Sequence, residues 1–83
     1  MSTEPRWLFV GASPEGRPFQ MGGLDVWEHE WSDTREKARV EEPRERRGLT
    51  FGIYEIRSGD HVVRFAAGEL SSGVWGFYVR RQG

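Results

Sequence analysis

The chain has 83 residues, a length typical of one small domain, with 4 Trp, 5 Phe, 2 Tyr, 11 Gly and no Cys. The lack of Cys excludes disulfides and thiolate metal sites, and a formal net charge of -1 without a basic cluster argues against a dedicated nucleic-acid binder. No apolar run reaches the roughly 18–20 residues of a membrane span, and the first residues do not resemble a secretion signal, so a cytoplasmic protein is expected.

The N-terminal third predicts a β-hairpin. Residues 1–5 are polar and contain Pro5, so they are expected to form a loose end. Trp7 to Val10 predict a first strand, and Ser13 to Gly16 fit a type I turn. A second strand is predicted from Leu24 to Trp31.

Residues 33–47 differ from the rest of the chain because eleven of the fifteen are charged. Asp33 and Glu36 have the spacing of a capping box, which predicts a short helix over 33–42 that Pro43 would end. A helix without an apolar stripe gains little from packing. A solvated loop and a charged edge strand are therefore the alternatives.

The last third predicts a three-stranded antiparallel meander. Leu49 to Arg57, His61 to Gly68 and Val74 to Arg80 are rich in β-branched and aromatic residues. The separators, residues 58–60 and 71–73, have hairpin length and chemistry. The predicted fold is mainly β: one domain over 1–83 with a twisted antiparallel sheet of about five strands, made of the N-terminal hairpin and this meander. Curling into a partial barrel is an alternative.

The alternation of side chains defines two faces of the meander. A loop at residues 71–73 would place Ala67 opposite Phe77, so we expect a buried first face. It consists of Val63, Phe65, Ala67, Trp75, Phe77 and Val79. In the favoured register of the first hairpin, Glu55 faces Arg64, which pairs opposite charges and adds Tyr54 and Ile56 to this face. A shift by one residue would turn Phe51 and Ile53 inward instead.

The second face is unusually apolar for a surface in contact with water. It consists of Phe51, Ile53, Val62, Ala66, Val74 and Tyr78, interrupted by Glu55, Arg64 and Arg80. An antiparallel sheet with one solvated face normally carries polar residues there. Either the N-terminal residues 1–31 cover this face, or it is a contact surface for a partner. A two-fold copy of the same chain is the simplest such partner.

The stretch from Trp27 to Trp31 contains two Trp residues around His29. On a strand these three side chains would share one face and form an aromatic slot beside a titratable imidazole. The alternative interpretation, which we favour, is a bulky edge strand that packs its indoles. His29 and His61 lack the spacing of metal ligands, so no metal site and no cofactor are predicted. The serines lie in turns, so no nucleophile is predicted either.

The functional hypothesis is a non-enzymatic interaction module that forms a homodimer, or docks an unknown protein, through the apolar second face. The alternative is a binder of small ligands or single-stranded nucleic acid that stacks on Trp27, Trp31, Tyr54 and Tyr78. A small enzyme or metal site built around histidine and carboxylates ranks below both. Nucleic acid is disfavoured, and no membrane contact is expected. The predicted binding residues are Trp27, His29, Trp31, Phe51, Ile53, Arg64, Val74 and Tyr78.

Overall fold

The computed structural model describes residues 6–41 and 43–81, and the predicted loose end at residues 1–5 lies outside them. The described chain is mainly β, with no helix longer than a 3-10 turn. Its strands are β1 (Arg6–Pro14), β2 (Gln20–Met21), β3 (Leu24–Asp25), β4 (Ser32–Arg39), β5 (Thr50–Ser58), β6 (His61–Ser71) and β7 (Val74–Arg81). Two 3-10 turns span Val26–Glu28 and Arg44–Arg46.

Five of these strands form one antiparallel sheet in the order β1-β7-β6-β5-β4, and β2 and β3 form a separate two-stranded sheet. The predicted fold class is confirmed, and the sheet is not closed into a barrel. The membership of the sheet differs from the prediction, because β1 pairs with β7 rather than with a neighbouring N-terminal strand. The fifth strand is β4, which comes from the charged segment.

The charged segment is an edge strand, so the helix predicted over 33–42 is wrong and the edge-strand alternative is right. Ala38 pairs with Phe51, and its side chain is 1% exposed while its charged neighbours face water. The pairing is irregular between Asp33 and Lys37, and Arg35 adopts a positive φ of 65° inside this bulge. A charged, bulged edge discourages pairing with the strand of another chain.

The meander has the predicted register. Glu55 pairs with Arg64, and Ala67 pairs with Phe77. The loops are shorter than expected, because Ser58 pairs with His61 and Ser71 pairs with Val74. A shift in pairing between Glu69 and Ser71 preserves the register despite the shorter second loop.

Both faces of the sheet carry a buried core cluster, each packed by a different part of the chain, although Val62 of the second face is 39% exposed. The first face packs against Phe19, Met21, Leu24, Val26, Trp27 and Trp31. These residues belong to the segment 15–31, which we call the covering segment. The second face packs against Trp7 and Phe9 from β1 and against Ala38 and Val40. The chain therefore covers the second face itself, through residues from both edges of the sheet rather than through one hairpin.

The two edges approach each other at one corner. Arg6 of β1 lies 3.8 Å from Glu41, just beyond β4, and both side chains are largely exposed. Arg46 donates from its guanidinium to the carbonyl oxygen of Leu70, which ties the loop after β4 to the end of β6. The sheet thus curls around Phe51 and Tyr78 without closing into a barrel.

The turn after β1 lies one residue later than predicted. The amide of Arg17 donates to the carbonyl oxygen of Pro14 at 3.0 Å, so the turn spans 14–17 rather than 13–16. Gly16 has a φ of +85°, which only glycine adopts easily. Ser13 is 3% exposed, and its hydroxyl donates to the carbonyl oxygen of Arg17 at 3.0 Å.

Candidate binding surface

The covering segment owes its shape to Asp25. Its carboxylate accepts from the amide of Trp27 at 3.0 Å and from the amide of Phe19 at 3.3 Å. This cap starts the 3-10 turn Val26–Glu28, which places Val26 in the core at 0% exposure. The predicted strand from Leu24 to Trp31 is therefore wrong beyond Asp25, and Trp27, His29 and Trp31 do not share one strand face.

Trp31 is the centre of an aromatic cluster on the first face. Its indole N–H donates to the carbonyl oxygen of Val26 at 2.6 Å. Its ring centroid lies 5.2 Å from Phe65 and 5.9 Å from Phe77, both in edge-to-face contact. Such arrangements add about 0.5–1.5 kcal/mol per pair beyond area burial, so this indole is held in place from beneath and from the side.

Four half-buried rings form what we call the aromatic surface: Trp27, Trp31, Tyr54 and Trp75. Trp27 and Trp31 are 5.2 Å apart at 32°, whereas Trp31 and Trp75 are 5.6 Å apart at 89°. Tyr54 continues the cluster at 5.3 Å from Trp31. Trp75 thus stands steeply against the other two indoles, and Trp31 contacts the buried rings of Phe65 and Phe77.

The indole N–H groups of the aromatic surface differ in their hydrogen bonding. No acceptor among the described residues reaches the Nε1 of Trp27 or of Trp75, although both atoms are buried. A buried donor without a partner costs about 1–3 kcal/mol, and native structures contain few of them. The arrangement of these two indoles is therefore not optimised for internal hydrogen bonding.

The charges around the aromatic surface differ between its two ends. Glu28 and Glu30 are exposed and flank the Trp27–Trp31 end, and Glu69 pairs across the ladder with Trp75. Lys37 lies at the opposite end, where it pairs with Gly52 beneath the ring of Tyr54. Asp33 pairs with Tyr54 itself, so the Trp27–Trp75 end is acidic, whereas the Tyr54 end carries both signs of charge.

The predicted binding residues fall into two groups on opposite sides of the sheet. The structure brings Trp27 and Trp31 together with Tyr54 and Trp75. Phe51, Ile53 and Tyr78 are 8%, 3% and 0% exposed and belong to the core of the second face. Burial on that side separates Tyr78 from the other three predicted stacking residues.

The remaining predicted residues have local structural contacts. Arg64 forms ion pairs with Glu36 and, at 3.8 Å, with Glu55. His29 is half-buried, and its Nδ1 lies 2.8 Å from the carbonyl oxygen of Asp25. Val74 is half-buried at the start of β7.

Sequence reasoning missed Trp75 as a surface residue, because alternation placed it with the core of the first face. The position of Trp75 was a signal, because it follows the glycine of a hairpin turn by two residues. Close to such a turn, strands extend beyond the covered part of a sheet. For Tyr54, the corresponding signal in the sequence is Gly52, two residues earlier in the same strand. A Cβ on Gly52 would lie 2.8 Å from the Tyr54 hydroxyl, so glycine is what lets this ring lie along the sheet.

The two histidines contact different backbone carbonyl groups. Nε2 of His61 lies 2.7 Å from the carbonyl oxygen of Gly22, at the tip of the β2–β3 hairpin. Within residues 6–41 and 43–81, no group of three or more His, Cys, Asp or Glu could hold a metal ion. The same residues contain no helix with the length and apolarity needed to cross a membrane.

Comparisons with protein-family models, with curated proteins and with solved structures found no match to this chain.

Proposed function

We propose that this protein is a non-enzymatic interaction module and that the aromatic surface of Trp27, Trp31, Tyr54 and Trp75 is its contact site. The observation that carries the proposal is the clustering of four half-buried rings at one place on the outside of an otherwise well-covered sheet. Trp and Tyr, together with Arg, are the side chains enriched among residues that dominate binding energy. They present large, rigid contact areas that lose little conformational entropy on binding.

The second face gives less support to an interaction role. Its largest residues, Phe51 and Tyr78, pack under Trp7 and Phe9 of the same chain. The hypothesis that a partner docks on this face assumed that another molecule must shield its apolar side chains from water. Because the chain supplies the cover, the contact site is better placed on the aromatic surface.

Single-stranded nucleic acid gains no specific support as the ligand. Stacking binders of that class combine their aromatic residues with a positive groove along the backbone. Here Glu28 and Glu30 are next to Trp27 and Trp31 in the chain, Glu69 pairs with Trp75, and the formal net charge of the chain is -1. Such an environment repels phosphates.

The proposal can be tested with phenol as a neutral ring probe followed by NMR. Phenol should shift the indole Nε1–H resonances of Trp27, Trp31 and Trp75 in a saturable manner, and it should leave that of Trp7 unchanged. Trp7 is the matched internal control, because it is an indole of the same chain buried on the opposite face at 9% exposure.

Two variants complete the experiment. Trp75→Leu should abolish the phenol response at Trp27 and Trp31, whereas Trp7→Leu should lower stability and retain the response. Both variants must be compared below their unfolding transitions. A response absent from the wild-type protein, or equal at all four indoles, would overturn the proposal.

A further inference from the structure

We infer that the acidic end of the aromatic surface, formed by Trp27, Trp31 and Trp75 with Glu28, Glu30 and Glu69, binds an organic cation of the alkylammonium class. This inference rests on the proposed function, since it names the ligand of the same surface. It joins two independent features: the arrangement of the indole rings and the placement of carboxylates without cationic partners.

The rings have the arrangement that a cation requires. The face of an indole carries partial negative charge and attracts a cation within about 6 Å of its centre, and Trp is the strongest of the three aromatic residues in this role. Trp75 stands at 75° to Trp27 and at 89° to Trp31, with centroid distances of 6.3 and 5.6 Å. Rings at such angles can contact a rounded group from more than one side, which favours a methylated ammonium over a flat ring.

The carboxylates supply charge complementarity. Among the described residues, neither Glu28 nor Glu30 forms an ion pair, and the Glu69 carboxylate accepts only from the amide of Gly73, at 2.9 Å. Between Pro18 and Thr34 the sequence has four acidic residues and no Lys or Arg. The field at this end of the surface therefore attracts a cation and lacks one from the protein itself.

The basic residues nearby restrict the location of the site. Lys37 pairs with Gly52, and Arg39 pairs with Thr50, so both lie toward the Tyr54 end of the surface. A cation at that end would meet these two like charges, and Asp33, which pairs with Tyr54, offsets them only in part. The binding position is thus assigned to the Trp27–Trp75 end, and Tyr54 is expected to contribute less than the three indoles.

The ligand chemistry has two sources that one experiment separates: a free alkylammonium compound, or a methylated lysine side chain of a partner protein. Choline represents the first source. A short peptide with one trimethyllysine represents the second, and the same peptide with unmodified lysine is its control. The neutral comparison for choline is 3,3-dimethylbutan-1-ol, which has the same shape without the charge.

Titrations followed by the indole Nε1–H resonances should show that choline binds about tenfold more tightly than its neutral counterpart, a difference typical of cation–π contacts. The Glu28→Gln/Glu30→Gln double variant should weaken choline binding severalfold and leave phenol binding unchanged. Glu41→Gln/Glu45→Gln is the control with the same charge change, and it should bind choline like the wild-type protein.

The outcomes are distinct. Binding of choline and of the methylated peptide supports the inference, and binding of the methylated peptide alone supports it with a partner side chain as the source. Equal affinity for choline and 3,3-dimethylbutan-1-ol, or no binding of any cation, overturns it. If phenol still binds in that case, only the cation inference fails. If phenol does not bind either, the proposed function fails as well.

Discussion

The ring of Phe51 lies directly over Gly68. A Cβ built on Gly68 would be 2.5 Å from Cδ1 of Phe51, a distance that real Cβ atoms essentially never show. Gly76 has the same relationship to Leu70, at 2.9 Å from its Cδ1. These two glycines pair with each other across β6 and β7, and together they let large side chains lie flat on the second face.

We therefore expect Gly68→Ala to lower the free energy of unfolding by about 1–3 kcal/mol, the usual cost of overpacking a core. Urea titration followed by tryptophan fluorescence measures this effect. Gly11→Ala is the control, because its added Cβ would lie 3.3 Å from a Phe19 ring atom and needs only a small adjustment. Phe51→Leu in the Gly68→Ala background should recover part of the loss, and strict additivity of the two substitutions would contradict the steric explanation.

The charge pair at the centre of the first hairpin should contribute little to stability. Arg64 and Glu55 lie opposite each other, and their side chains are 38% and 32% exposed. Solvent screening limits such a pair to below about 1 kcal/mol. Glu55→Arg should therefore destabilise only slightly, through like charges placed directly opposite each other.

The reversed pair provides the control. Glu55→Arg/Arg64→Glu should regain part of the favourable energy of the cross-strand charge pair, although it loses the contact of Arg64 with Glu36. The coupling energy from the four denaturation curves should shrink in 1 M NaCl, because salt of about that concentration screens exposed charges beyond roughly 3 Å. A coupling insensitive to salt would show that the pair acts through packing instead.

The conformation of the covering segment should depend on Asp25. Its carboxylate satisfies two backbone amides, so Asp25→Ala is expected to cost about 1–2 kcal/mol. Amide hydrogen exchange of Phe19 and Trp27 should accelerate more than that of β6. Asp60→Ala, which removes an exposed carboxylate in the β5–β6 turn, is the control. Equal acceleration in both variants would exclude a local role for Asp25.

The chain is expected to be monomeric in sedimentation experiments at about 100 µM, a concentration at which most specific dimers form. Both sheet faces are covered from within, and β4 is a charged, bulged edge. Two copies that met through their aromatic surfaces would also bring Glu28, Glu30 and Glu69 of each near those of the other. A stable dimer would restore the sequence hypothesis of self-association and would place its interface outside the second-face core.

The sequence by itself determined the three strands of the C-terminal meander and favoured the register that the structure has, with a register shifted by one residue as the alternative for the first hairpin. In a hairpin, alternation and turn length act between residues close in the chain, and a pair such as Glu55 and Arg64 favours one register over the shifted one. Alternation also assigned side chains to the two faces, Phe65 to the first and Tyr78 to the second, because side-chain direction repeats every two residues.

Only the tertiary structure decided which segments cover those faces. β1 pairs with β7 from the other end of the chain, and no local pattern predicts such a partner. The conformation after Asp25 depends on a side-chain cap that overrides the strand preference of its aromatic neighbours. The β1–β7 pairing and the Asp25 cap together bring Trp27 and Trp31 against Trp75 and so form the aromatic surface. Alternation along a strand does not encode the burial of rings that are distant in sequence, or the angles between them.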